Sequence, residues 1–397
     1  MPKSTRRLWS GWILPVLLFN PAAFAEQTAH QALVIHAQRL FDGYQLRGES
    51  SVLIQEGKIA ATSDGQGFAD MEAQRIELGD ATLLPGLIEL HAHLNFQHVN
   101  ANTVLKHGIT TLRDVGGPLH QTYGGDGRLR VMTSGPILTA ANGYPIPNLG
   151  STDIAIAVDS ADQAREQVRQ LIKGGAVVIK IALEPGGEVG ALWVNGHHHH
   201  TDFHHQVAKS WPLMPLATVA AIVDEAHQLG RKVTAHLAEQ QGVQLALKAG
   251  VDEWTHMPCA PISKSLLKQA VAQQVRIVGT LDTLSKCSGI ASNSQLWAAL
   301  GGELLYGAEI AHPDIPWGID VQELAYMQQY SGLSVLDVLS IATAKAGTYL
   351  NIPLLGTLQN GAAADLIAVK GDVTQSLKPL EYPGLVISGG KVIVNDF

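Results

Sequence analysis

The stretch Leu84-Pro-Gly-Leu-Ile-Glu-Leu-His-Ala-His-Leu-Asn-Phe96 decides the fold. Its apolar run predicts a buried strand over 86–90 that ends in His91 and His93. Alternate residues of a strand point to one side, so these two imidazoles lie together and can hold one metal ion. Such pairs also arise on polar strand faces, so the rest of the chain has to supply further ligands.

Outward from this stretch, β-rich apolar runs alternate with helical patterns. Strands are expected at 86–90, 109–114, 130–133, 177–182, 232–236, 251–256, 276–280 and 304–309. Helices are expected at 161–172, 216–229, 241–248, 321–329 and 335–349. Eight alternations over about 250 residues have the rhythm of a TIM (β/α)8 barrel; a doubly wound open sheet is the alternative, because alternation alone does not require closure. A barrel carries its active site at the C-terminal strand ends. There the sequence places His91 and His93, Lys180, His236, His256 and Glu309. Any one of them alone would be an ordinary satisfied buried polar residue; together they form a register.

The flanks differ from the centre. Short β-like runs at 32–36, 51–55 and 58–61 are answered by runs at 364–370 and 385–394. Neither flank has enough strands to bury a face alone, so they are expected to join into one small β-sandwich. The domains are then a signal peptide at 1–25, a β-sandwich from 26–83 plus 353–397, and a barrel at 84–352. Lys3, Arg6 and Arg7 precede the apolar run Trp12 to Phe19 and the small-residue site Ala23-Phe-Ala25, the pattern of a secretory signal peptide cut after Ala25. That run is too short to span a bilayer. Periplasmic or secreted localisation follows, with no membrane association after cleavage.

Cleavage removes three cations and no acid, moving the formal charge from −8 to −11. Phosphate repulsion then excludes nucleic acid as a partner and leaves a small-molecule substrate; oligomeric state is not legible. The two cysteines, Cys259 and Cys287, exclude a thiolate zinc site. They are open to pairing in an oxidising compartment or to remaining buried thiols.

Four histidines, a lysine and a carboxylate on one rim describe a two-metal hydrolytic site. Zinc suits this set best, with manganese, iron or nickel as substitutes. A buried lysine beside cations has a lowered pKa, and its neutral amine can add carbon dioxide to become a carbamate that bridges two ions. The other reading of Lys180 is a snorkelling or salt-bridged side chain, for which 177–182 offers almost no polar company.

The order His-x-His, Lys, His, His, acid resembles the metal-dependent amidohydrolase superfamily, in its imidazolonepropionase/prolidase-like branch. The similarity is carried by the opening stretch, His107-Gly-Ile-Thr-Thr-Leu-Arg-Asp114, Val178-Ile-Lys180, Val233-Thr-Ala-His236 and Thr255-His256. It continues in Leu333-Ser-Val-Leu-Asp-Val-Leu-Ser-Ile-Ala-Thr343 and Gly356-Thr-Leu-Gln-Asn-Gly-Ala-Ala-Ala-Asp-Leu366. The resemblance implies that His91 and His93 bind the more buried ion. Carboxylated Lys180 would bridge to a second ion held by His236 and His256. It also implies an eighth-strand aspartate as metal contact and base, and here the chain departs: Leu305-Tyr-Gly-Ala-Glu309 carries a glutamate.

Three readings of Glu309 follow. It serves as the same base with one extra methylene, or Asp314 or Asp320 replaces it, or the chain has become a metal-binding or metal-delivery protein. Two metals give a hydroxide near neutral pH, so the expected reaction is hydrolysis of an amide, dipeptide or cyclic amide C–N bond. A lactonase or phosphoesterase uses the same apparatus, and substrate identity rests on loop shape. Among the loops, residues 197–205 hold six histidines, open to transient metal capture or to a solvated lid. Asn142 and Tyr144 are candidates for a substrate carbonyl, although a plain turn also fits. His312 is a candidate partner of Glu309, and Arg113 with Asp114 reads as a structural ion pair.

Overall fold

A computed structural model describes residues 1, 32–186 and 211–397. The expected signal segment and the histidine-rich stretch 197–205 lie outside the described residues.

The opening stretch is two strands in two sheets, Ala81–Pro85 and Leu87–Ala92. Pro85 has no N–H to continue a ladder. At Gly86 the backbone passes so close to the next strand that a Cβ would lie 2.2 Å from Thr110 Oγ1. The expected strand over 86–90 therefore runs one register later. His91 lies inside it, and His93 is one residue beyond its end.

Leu87–Ala92, Ile109–Asp114 and Arg130–Thr133 form a three-stranded parallel sheet. A second sheet of seven parallel strands holds Ile179–Ala182, Val233–His236, Glu253–Trp254, Arg276–Val278 and Glu303–Leu305 in that order. Its edge is formed by Ile137–Thr139 and Ala155–Ala157, two strands of 3 residues each that sequence patterning missed. Backbone bonds run between the two sheets on both sides. Val177 N–H donates to Thr133 O (2.9 Å), and Leu90 N–H to Tyr306 O (3.3 Å). The sixth and eighth strands are shorter than expected because the chain leaves the ladder where His256 and Glu309 turn inward. Glu309 has φ 66°, a left-handed conformation no strand admits.

Helices Ala161–Lys173, Leu216–Gln228, Gln240–Ala249 and Val321–Ser331 lie where the periodicity put them. The helix expected over 335–349 is two, Val335–Ile341 and Ala344–Tyr349, broken at Thr343 with φ −134°. Lys264–Ala272 and Gly289–Ala299 were not foreseen; the second begins with Gly and carries Ser and Asn, all weak helix formers. No helix of the described residues is long and apolar enough to cross a membrane.

The flanks build a four-stranded sheet and a six-stranded sheet, and the chain's two ends meet in the second, where Ala81–Pro85 pairs antiparallel with Leu366–Lys370. One buried cluster joins Ile35, Val52 and Ile59 of the first to Leu83, Leu366 and Ile387 of the second. Cys259 and Cys287 are disulfide-bonded, closing 28 residues of chain. Replacing both by alanine is expected to cost about 2–4 kcal/mol, read from the urea midpoint and slope together.

Candidate active site

His91 is fully buried, and its Nδ1 lies 3.0 Å from the Thr255 carbonyl oxygen. Nδ1 therefore carries the proton, and the lone pair is on Nε2, a buried atom with no hydrogen-bond partner. His256 Nδ1 lies 2.8 Å from Thr280 Oγ1, whose own proton goes to Gly279 O; the threonine therefore accepts, and His256 takes the same tautomer. His93 Nε2 lies 3.7 Å from Glu309 Oε1. The rings form a continuous row, with centroids 5.3 Å apart for His93 and His91, 4.8 Å for His91 and His256, and 4.6 Å for His256 and His236.

Lys180 is buried and donates to Thr255 Oγ1 at 2.7 Å. Burial lowers its pKa to about 7, against the opposing pull of Glu309 and Glu253, so neutral amine is abundant at neutral pH. Burial, reinforced by Lys180, brings His236 down to about 3. His91 and His256 lie well below the ordinary imidazole value for the same first reason. Burial pushes Glu309 upward, but His93 beside it and the neighbouring imidazoles hold it well below the carboxylate range. Neutral imidazoles and an ionised carboxylate are the states that bind a cation.

All six candidate ligands line one cavity of about 270 Å³. Ligand atoms of His91, His93 and Glu309 lie within 4.8 Å of one another, and Glu309 Oε2, like His91 Nε2, is buried without a hydrogen-bond partner. Two orphaned acceptors on one cavity, in a nitrogen and oxygen donor set, fit a divalent cation such as zinc.

Tyr144 and His312 also line the cavity; the Tyr144 ring lies 4.5 Å from that of His236. Asn142 does not: it is exposed, in a left-handed turn position with φ 56°. Asn148, on the short helix Ile146–Leu149, and Gln97 are the amides that line the cavity, and nothing in the local sequence distinguishes them. Arg113 and Asp114 do not pair, since adjacent strand residues point to opposite sides. Arg113 makes a bidentate pair with Glu253 (2.6 and 3.0 Å), while Asp114 accepts from Leu94 N–H and Asn95 N–H.

Asp314 is exposed, and neither it nor Asp320 lines the cavity. Asp320 caps the helix Val321–Ser331 through Gln322 N–H. Burial and then Asp282 raise its pKa from 3.8 to about 7. An acid raised on folding contributes stability below its unfolded value that is lost as pH rises through the folded one. Asp320→Asn keeps the cap and is expected to flatten this decline between pH 4 and 8, read from urea midpoints across that range.

Sequence reading also missed Glu89. Its buried carboxylate accepts His91 N–H at 2.6 Å and Ala308 N–H at 3.1 Å, tying the strand of His91 to the residue before Glu309. Gly307 makes room for it: a Cβ there would lie 3.0 Å from His91 Cβ and 3.1 Å from Glu89 Oε1.

A model of the amidohydrolase family matches residues 82–260. The chain is 26% identical to an ochratoxinase from Aspergillus niger, across 94% of this chain and 89% of that one. Its structure is similar to a Xaa-Pro dipeptidase with methionine bound in the active site (TM-score 0.73, 22% identity, 91% of this chain and 99% of that one). It is also similar to a prolidase complexed with N-methylphosphonate-L-proline (TM-score 0.73, 20% identity, 92% of this chain and 100% of that one). The family match spans His91, His93, Lys180, His236 and His256, and over those residues the chain is similar to the amidohydrolase family.

Proposed function

We propose that this chain is an exported, binuclear metal-dependent hydrolase of an amide, dipeptide or cyclic amide bond. We propose further that its parallel strands close as a (β/α)8 barrel over 84–352, with the flanks 26–83 and 353–397 as a β-sandwich. Closure is supported by the backbone bonds from Val177 to Thr133 and from Leu90 to Tyr306, and the sandwich by the cluster shared between the flanking sheets. Export is supported by the disulfide, a bond that persists in oxidising compartments.

The observation that carries the activity is the pair of orphaned buried acceptors, His91 Nε2 and Glu309 Oε2, in one cavity. His91 and His93 would hold one ion, His236 and His256 the other, with Lys180 as a carbamate between them. When bound, such ions polarise a carbonyl and bring the pKa of water toward neutrality. Thr255 and Thr280 set the tautomers of His91 and His256, so each ring is aimed before any ligand arrives. Glu309, held ionised, accepts the proton of the attacking water and delivers it to the leaving nitrogen. Burial, then Glu309, raises the Tyr144 hydroxyl pKa, which keeps it protonated as a donor to the substrate carbonyl.

The test is turnover of a panel of N-acyl amino acids, dipeptides, lactones and phosphoesters by zinc- and manganese-loaded protein. Amide hydrolysis above the other classes supports the reading. Turnover of lactones or phosphoesters alone replaces it, and inertness on every class turns attention to metal delivery.

A further inference from the structure

The cavity has two unlike walls. Besides the imidazoles, an apolar set lines it: Phe96, Ile137, Leu149, Ile154 and Pro313, with the ring of Tyr144 reaching across to His236. This wall is a packed unit. Ile137 and Ile154 belong to a small buried cluster with Ala155 and Ala182, against which Phe96, Tyr144 and Leu149 pack. Ile137 N–H donates to Ile154 O at 2.9 Å, so its two buried anchors are joined through the backbone and the surface is formed in advance of any ligand.

Charge is distributed just as unevenly. Among the described residues lining the cavity, Lys180 is the only lysine or arginine, and it is occupied by Thr255 Oγ1 on the metal-ligand side. A substrate carboxylate or ammonium seated on Phe96, Ile137, Leu149 and Ile154 would lose its hydration and find no charged partner among them, which is costly. An aromatic or branched aliphatic group there would shed water from both surfaces, which is favourable.

We infer that the amide cleaved here carries, beside its scissile bond, a bulky uncharged apolar group that seats on the wall of Phe96, Ile137, Leu149 and Ile154. This inference rests on the hydrolase reading above. It defines a substrate class: amides flanked by a phenylalanine- or leucine-like group, as against glycine-like, acidic or basic ones.

The experiment uses the metal-loaded full chain and two series of amides. In one the acyl side varies among glycine-, leucine-, phenylalanine-, aspartate- and lysine-type groups at constant leaving amine; in the other the amine side varies at constant acyl group. In at least one series kcat/KM for the apolar members should exceed that for the charged members by about 10²-fold. Leu149→Lys places a cation at a half-buried position on this wall; it should lower turnover of the apolar members and raise that of the aspartate-type member, with melting temperature as the folding control. If the variant does not fold, the wild-type preference decides alone. Equal or higher kcat/KM for charged members in both series overturns the inference while the hydrolase reading stands. Failure to turn over any amide removes that reading, and the inference with it.

Discussion

Replacing Glu309 by alanine should lower kcat on an amide substrate by about 10²–10⁴-fold, the range expected for loss of a positioned general base. The fold should survive, because the side chain contributes one long contact to His93 (3.7 Å) and leaves Oε2 without a hydrogen-bond partner. Glu309→Asp separates the adapted base from a vestigial one. The left-handed backbone at 309 suits aspartate at least as well as glutamate, so stability should hold. The carboxylate, however, would retreat by one methylene from the position that the tie of Glu89 to Ala308 N–H imposes. A displacement of about 1 Å costs on the order of 10²-fold, so the aspartate variant should be slower than wild type. A faster aspartate variant, in steady-state kinetics at matched metal content, would mean the native glutamate no longer serves catalysis.

Arg113→Met should bring the largest loss of stability. Glu253 is fully buried and is held by both terminal guanidinium nitrogens and by the Thr234 hydroxyl at 2.5 Å. Removing the cation leaves a buried charge, at a cost of about 3–5 kcal/mol. The pH dependence reverses as well. In the wild type burial pushes Glu253 up, but Arg113 and the hydrogen bonds bring it below the ordinary carboxylate range. Its contribution is therefore present above that range and lost as pH falls. Without Arg113 burial dominates and the folded acid titrates above its unfolded value, so stability falls as pH rises. Urea midpoints at pH 5 and pH 8 should show the variant more strongly destabilised at pH 8.

The cavity-lining candidates were legible because ligand-type side chains stand where apolar runs stop, and a period of two sets which side they face. His91, His93, Lys180, His236, His256 and Glu309 do meet around one cavity. Other features were hidden for physical reasons. The apolar run across Pro85 and Gly86 is continuous because both strands it contains are buried, so hydrophobicity could not mark the crossing between sheets. The partner of Arg113 lies 140 residues away, beyond any local pattern. Glu89 looked like one polar residue in a strand, because a carboxylate that accepts backbone amides leaves no periodic trace. Asn142 was read as a substrate contact with a plain turn as the alternative, and the turn is what it serves.

Titration of metal-free protein with zinc, followed by the rate of amide hydrolysis at each addition, tests the central claim most directly. The account predicts no turnover at zero metal, a rise that saturates at two ions per chain, and loss again on chelation. Undiminished turnover by the metal-free protein, or none at any loading while the fold stays intact, would contradict it.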